Sequence, residues 1–191
     1  MNPDRRGLLL CFALSGLLTL AVGFDVLFRG RTFVPTDLMT GRSPWAPAGT
    51  DDAAIRGRIH LDVVEFFAMN AVQAERDLAE GAGVLWNDAI LGGTPISGDP
   101  QVGTFYPVRA ILLRTLSPTG SVDAFILIHF FFVMPAMYAF LRGRGLDPGP
   151  ALFGAMAGAL GGQVLGWFKY GCGLVAAVFL PLMALALDRA W

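Results

Sequence analysis

The amino-acid sequence predicts an all-α polytopic membrane protein with a large first extracytoplasmic loop. The chain of 191 residues is 54% hydrophobic and only 15% charged, whereas an average soluble domain is about 45–50% apolar and about 25% charged. Its mean hydropathy is +0.57. Several apolar runs occur along the chain, and each is about long enough to form a helix that crosses a bilayer core of about 30 Å. The net charge of -1 offers no basic surface for nucleic acid.

Four spans are predicted, one before the long loop and three after it. They comprise residues 7–28, 121–141, 151–168 and 171–187. The first apolar run is longer than the hydrophobic part of a signal peptide, which is about 7–15 residues. We therefore interpret it as a retained span, and a leader cleaved near Ala21 is the alternative. The third span carries glycines at positions 154, 158, 162 and 166, a spacing typical of closely packed membrane helices.

Arginines at the ends of the spans predict the orientation of the chain. The positive-inside rule places these residues in the cytoplasm: Arg5, Arg6, Arg142, Arg144 and Arg189. The N-terminus is then cytoplasmic, and the segment at about 30–120 is an extracytoplasmic loop. Four spans with one large loop are typical of the first part of a larger bundle, so we expect the chain to be the N-terminal part of a longer protein.

Part of the loop, residues 62–80, has the periodicity of an amphipathic helix. Its apolar face comprises Val63, Val64, Phe67, Ala71, Ala74 and Leu78, and its polar face comprises Asp62, Glu65, Gln73, Arg76, Asp77 and Glu80. Two glycines, Gly81 and Gly83, are typical of a helix end. A helix of this kind can lie in the membrane interface with its apolar face towards lipid.

Asp62 admits two roles that are compatible with each other. It opens the predicted helix three residues before Glu65, and this spacing resembles a capping box, in which the side chain bonds to free backbone N–H groups. In the second role, Asp62 is a carboxylate held at the membrane surface. As a general base it would then take a proton from an attacking hydroxyl.

Other polar residues of the loop are weaker candidates for chemistry. Asp37 is a second candidate carboxylate, and an acid in the turn after Pro35 is the alternative. His60 and Asp62, together with Asp37 or Asp99, can supply ligands to a divalent cation such as Mg or Mn, although they show no established metal-site spacing. The motifs of soluble catalysts, such as the Walker loop, GxSxG and HExxH, do not occur in the sequence.

The second half of the loop carries a Gly- and Pro-rich stretch that also contains aromatic residues and acids. Residues 85–107 read LWNDAILGGTPISGDPQVGTFYP. An acid at the start of an amphipathic helix, followed by LWN, GGTP and PQVGTFYP, resembles the first external loop of YfhO-like bacterial membrane proteins, which belong to the GT-C glycosyltransferase group. The resemblance continues into the apolar residues 129–146 and 179–189 and covers nearly the whole chain.

This resemblance implies a function and a set of site residues. GT-C enzymes transfer sugar from a polyprenyl-phosphate carrier to an external glycan or lipid acceptor of the cell envelope, with a catalytic carboxylate in the first external loop. On this sequence the carboxylate is Asp62, with Asp37 as runner-up. The resemblance also implies a multi-pass protein of the bacterial inner (plasma) membrane. The expected substrate-binding residues are His60, Trp86, Asn87, Gln101 and Tyr106.

Each loop residue also has a structural alternative. Trp86 and Tyr106 either stack on sugar or carrier, or anchor the loop among the lipid headgroups. Asn87 and Gln101 either bond to sugar hydroxyls or brace the turn. The absence of a DxD pair near Asp62 leaves a second function class open, a non-catalytic transporter or assembly scaffold.

Overall fold

The structure is a computed structural model that describes residues 3–40, 62–81, 83–88, 90, 92–99 and 101–191. His60 and the other loop residues at 41–61 lie outside the described part. The chain forms two compact units. Unit 1 comprises Met1–Arg31 and Ile126–Trp191, and unit 2 comprises Thr32–Phe125.

Helices make up most of the described chain. They are α1 (Pro3–Val22), α2 (Phe24–Arg29), α3 (Asp37–Thr40), a π-helix (Val63–Ala68) that continues into α4 (Met69–Ala79), α5 (Pro107–Thr115), α6 (Pro118–Gly143), α7 (Pro148–Ala159), α8 (Gly162–Gly166), a 3-10 turn (Phe168–Tyr170) and α9 (Cys172–Ala190). The strands β1 (Trp86–Asn87) and β2 (Thr94–Pro95) form an antiparallel pair that an all-α prediction omits.

Three helices of the described chain are long and apolar enough to cross a membrane. They are Asp4–Val22, Pro118–Gly143 and Cys172–Ala190. The first is shorter than the predicted run 7–28, because the chain turns at Gly23 before α2 begins. A Cβ atom at Gly23 would lie 2.7 Å from a methyl carbon of Leu127 on α6, so glycine permits this close approach.

The predicted third span, residues 151–168, does not form one helix. Helix α7 ends at Ala159, Gly161 adopts an extended backbone, and the five-residue α8 follows. The glycine stripe is therefore divided. A Cβ at Gly154 would lie 2.7 Å from Leu141, and one at Gly158 would lie 3.5 Å from Met137, so this half packs on α6. Because glycine has the least helix propensity apart from proline, the Gly161–Gly162 pair is a natural breakpoint.

One side-chain hydrogen bond joins α1 to α6 at a defect in the α6 backbone. Pro135 lies inside α6 and has no N–H, so the carbonyl of Phe131 loses its usual helical partner. The hydroxyl of Ser15 donates to that carbonyl. Ser15 is only 2% exposed. A buried hydroxyl from a neighbouring helix is one of the ways in which membrane proteins satisfy a carbonyl freed by proline.

Unit 2 is built around the helical stretch that the loop periodicity predicts. The buried side chains of this stretch include Val63, Val64, Phe67, Ala71 and Ala74, as predicted. Asp77, placed on the polar face by the sequence, is instead 8% exposed. It lies three residues after Ala74, at the edge of the buried face, and one of its carboxylate oxygens accepts a 2.8 Å hydrogen bond from Gln73.

We expect the Ser15 hydrogen bond to contribute to the unfolding free energy only while Pro135 is present. Ser15→Ala should cost about 1–2 kcal/mol of unfolding free energy in the wild type, since a buried carbonyl loses its partner. In a Pro135→Ala background the cost should fall, because the introduced alanine supplies the missing N–H. Unfolding in detergent micelles by a denaturing detergent measures both values.

Thr19→Val is the matched control for this cycle. The Thr19 hydroxyl donates to the Ser15 carbonyl of its own helix at 2.8 Å, so its removal should cost the same in both backgrounds. An equal cost of Ser15→Ala with and without Pro135 would contradict the assignment.

Candidate functional site

The LWN and GGTP motifs form a small hairpin in unit 2. Trp86 pairs with Pro95, and Asn87 pairs with Thr94. The carbonyl of Leu85 accepts the backbone N–H groups of Ile96 at 2.9 Å and Ser97 at 3.3 Å. The motif residues at 85–87 and 94–95 are therefore the two sides of one backbone-bonded element.

The backbone conformation at position 93 and the neighbouring Trp86 ring both require a glycine there. Its φ is +118°, a conformation that residues with a side chain rarely adopt. A Cβ at this position would lie 2.7 Å from atoms of the Trp86 indole. The indole therefore lies over the Gly93 backbone, and Trp86 is still 53% exposed. An aromatic face held in this way can serve either the stacking or the anchoring role predicted for Trp86.

Asn87 and Asn70 link the hairpin to the helical stretch. Asn87 is 2% exposed, and its amide nitrogen lies 3.5 Å from the side-chain oxygen of Asn70. Asn70 in turn donates to the Phe66 carbonyl, in the π-helix, at 2.9 Å. This geometry favours the bracing role for Asn87. Asn70 was missed from the sequence, although it lies four residues before Ala74 on the buried face.

The PQVGTFYP motif shapes the entry into α5. The carboxylate of Asp99 accepts the backbone N–H of Gln101 at 2.8 Å, which is an Asx turn. Gly103 has φ of +65°, and its carbonyl accepts the N–H of Tyr106 at 2.9 Å. Pro107 is then the first residue of α5, where its missing N–H has no cost. Gln101 contributes to this turn through its backbone, and its side chain is exposed.

Tyr106 and Arg109 both pack on Phe125. The Tyr106 and Phe125 rings meet edge to face at 5.9 Å, and burial raises the pKa of Tyr106 above its usual value. The guanidinium carbon of Arg109 lies 5.3 Å from the centre of the Phe125 ring. Arg109 is 5% exposed, and burial lowers its pKa to about 10.

Arg109 is not among the candidate residues predicted from the sequence. Its spacing was the available signal, because Arg109, Leu112 and Leu113 fall at i, i+3 and i+4 on the buried face of α5. An arginine on an otherwise apolar helical face is unusual, since arginine is almost never fully buried unless it is paired.

A cavity of about 370 Å³ opens near the start of α5. Its lining is largely apolar and includes Leu78, Val84, Leu85, Phe105 and Leu113, with Thr104 and Arg114 as polar members. Phe105 is 73% exposed. None of the predicted site residues that the structure describes lines this cavity. Its volume and lining suit an apolar chain or ring.

Asp62 lies at the start of the π-helix, where the sequence places it, but it does not act as a cap. Its backbone is already helical, with φ of -57° and ψ of -29°, and its side chain makes no capping hydrogen bond. The predicted capping box with Glu65 is therefore wrong. A capping side chain needs an extended backbone to turn back onto the helix. Within the described residues the exposed Asp62 carboxylate makes no hydrogen bond.

The remaining candidates are Asp37 and His60. Asp37 is half-buried at the first position of α3 and is not without an interaction partner. His60 is outside the described residues, so its role stays a prediction. Among the residues that the structure describes, no group of three or more His, Cys, Asp or Glu side chains is arranged to hold a metal ion.

Comparison with known proteins adds no relative. The chain matches no family model, no curated protein and no solved structure. The resemblance to YfhO-like proteins therefore stays a hypothesis that rests on the loop motifs.

Gly93→Ala should destabilise unit 2. We expect a loss of about 1–3 kcal/mol, because alanine is strained at a φ of +118° and its methyl group would meet the Trp86 ring. Denaturant unfolding followed by tryptophan fluorescence measures the loss. In the control Gly98→Ala, the new methyl group would meet no atom within 4 Å, so stability should change by less than about 1 kcal/mol. Equal effects of the two substitutions would refute the role given to Gly93.

Proposed function

We propose that this chain is part of a GT-C-type glycosyltransferase of the YfhO-like family, acting at the bacterial inner membrane. It would transfer a sugar from a polyprenyl-phosphate carrier to an extracytoplasmic acceptor. The loop motifs carry the proposal, together with an exposed carboxylate, Asp62, that has no structural hydrogen bond within the described residues. Three helices of membrane-spanning length are compatible with a lipid-linked donor.

In the proposed reaction Asp62 is the general base. Its carboxylate takes the proton of an acceptor hydroxyl while the hydroxyl oxygen attacks the anomeric carbon of the donor sugar. A new glycosidic C–O bond forms, and the bond between the anomeric carbon and the phosphate oxygen breaks. The polyprenyl phosphate leaves with the electron pair of that bond. Asp37 is the runner-up for the base.

Exposed aromatic surface supports the substrate class. The Trp86 indole is fixed over Gly93 and presents an open face, which suits stacking against the apolar face of a sugar ring. The cavity between Leu85 and Phe105 is apolar and suits part of an isoprenoid chain. Tyr106 packs against Phe125 and supports the loop from within.

A second candidate is a non-catalytic transporter or assembly scaffold. One observation favours it: a Cβ atom added at Gly162 or at Gly166 would meet no atom within 4 Å. Half of the glycine stripe is therefore uncovered by the described chain, and small residues of this kind are typical of surfaces where another membrane helix packs.

The proposed reaction predicts that Asp62→Asn lowers sugar transfer by about 10²- to 10⁴-fold, the usual contribution of a general base. Membranes containing the full-length protein are supplied with a panel of radiolabelled polyprenyl-phosphate sugars, and initial rates are compared. Since Asp62 forms no capping bond, the substitution should leave protein level and unfolding temperature unchanged. The control is Asp88→Asn, which alters an exposed acid of the same loop and should keep the wild-type rate. An unimpaired Asp62→Asn variant would remove Asp62 from the reaction.

The scaffold alternative predicts a different ranking of variants. Asp62→Asn and Asp37→Asn should be silent, while Gly162→Leu should abolish assembly with a partner helix, because the leucine side chain would fill the contact surface. Cross-linking in native membranes reports the assembly. No transfer from any donor by the wild type, together with loss of assembly in Gly162→Leu, would favour the scaffold over the transferase.

A further inference from the structure

Arg109 is a buried cation that packs on an aromatic ring. Only 5% of the residue is exposed, and its Nε atom is buried without a hydrogen-bond partner among the described residues. Burial lowers the pKa of its guanidinium. Asp77, the buried acid of α4, uses one oxygen for Gln73 and leaves the other unpartnered. Removal of a charge from water is costly unless a counter-charge is present.

The position of Arg109 adds a second source of positive potential. It lies in the first turn of α5, a helix of nine residues. The first hydrogen bond of this helix runs from the Ala110 N–H to the Tyr106 carbonyl at 3.0 Å. The N–H groups of Val108 and Arg109 therefore have no partner inside the helix. Tyr106 is the N-cap residue, but its side chain makes no capping bond. A helix N-terminus with free N–H groups attracts anions.

The Phe125 ring contacts both the residue that precedes the helix and the Arg109 guanidinium. Both the Tyr106 ring, at 5.9 Å, and the Arg109 guanidinium carbon, at 5.3 Å, pack on this one ring. Tyr106 precedes the helix, so the Arg109 side chain runs back towards the N-terminus, as helical side chains generally do. The cation and the free N–H groups thus belong to one small region.

We propose that Arg109 and the N-terminus of α5 form a binding site for a phosphate-type oxyanion. A phosphate group supplies the missing counter-charge, accepts two parallel hydrogen bonds from a guanidinium, and accepts N–H groups at a helix start. The planar, weakly hydrated guanidinium is better suited than an ammonium to such a buried contact. The chemistry is the same for a soluble phosphate and for the phosphate of a lipid. The site does not include the residue assigned as base in the proposed reaction, and it stands whether or not that reaction occurs.

The test measures thermal unfolding of the complete chain in dodecyl maltoside micelles, which carry no phosphate. Inorganic phosphate or pyrophosphate is titrated against chloride at constant ionic strength, and a second series uses mixed micelles that also contain phosphatidic acid. The variants are Arg109→Met, which keeps the apolar stem without the charge, and Arg109→Lys. Arg76→Gln is the control, since Arg76 is an exposed arginine of the same unit paired only with Glu80 within the described chain.

We expect phosphate to raise the unfolding temperature of the wild type and of Arg76→Gln. Arg109→Met should show no rise, and Arg109→Lys should bind about tenfold more weakly, because it loses bidentate contact. Without phosphate, Arg109→Met should unfold at the wild-type temperature or higher, since the unpaired buried charge is gone. Phosphatidic acid that abolishes the response to added phosphate identifies a lipid-borne group. A response that phosphatidic acid leaves intact identifies a soluble anion.

Two outcomes would overturn the proposal. In the first, neither phosphate nor phosphatidic acid stabilises the wild type, and Arg109→Met unfolds earlier, which would make Arg109 a purely structural partner of Phe125. In the second, phosphate stabilises Arg109→Met as well as the wild type but fails to stabilise Arg114→Gln, which would move the anion to the edge of the apolar cavity. Neither measurement needs a sugar donor, so failure of the transferase hypothesis would leave this result interpretable.

Discussion

Backbone groups that lose a regular partner must be bonded elsewhere, and this constraint governs both units of the protein. At Pro135 in unit 1 it is met by one side chain. Pro135 leaves the Phe131 carbonyl without its helical N–H, and the Ser15 hydroxyl donates a hydrogen bond to that carbonyl. In a membrane no water replaces such a bond, so the residue that supplies it also fixes how α1 meets α6. The chain also approaches α6 closely at Gly23, where a Cβ atom would lie 2.7 Å from Leu127.

In unit 2 the same constraint is met by the loop motifs. The Leu85 carbonyl and the Asp99 carboxylate accept backbone N–H groups, and Gly93 supplies a positive φ. Together they shape a Gly- and Pro-rich stretch whose described residues form only two-residue strands. Most motif residues therefore serve to hold the conformation of the loop. Side chains that these bonds leave uncommitted are the ones available for chemistry, and they include the exposed Asp62 and the buried Arg109.

Periodicity predicted the positions of the helices better than their continuity. Apolar length located α1, α6 and α9, and the 3.6-residue pattern located the buried face of the loop helix, because these depend on the chain's own residues. The break at Gly161 interrupts an apolar run that by its length alone predicted one span, and the burial of Asp77 depends on neighbouring elements. The π-helix Val63–Ala68 and the helical backbone of Asp62 were also beyond a pattern that assumes regular α-helix. Asp62 had the spacing of a capping box without the backbone conformation that capping needs.

The two uncommitted charges are of the kinds that sugar transfer from a phosphate carrier requires. The attacking hydroxyl must lose a proton, which an exposed carboxylate can take. The leaving phosphate gains negative charge as its bond to the sugar breaks, and fixed positive charge in a water-poor site stabilises that change most strongly. Within the proposed function, a buried guanidinium at a helix N-terminus meets this need, because its water has already been removed during folding. The energetic cost of burying Arg109 without a counter-charge in the described chain is then a cost of preorganisation, recovered when the phosphate arrives.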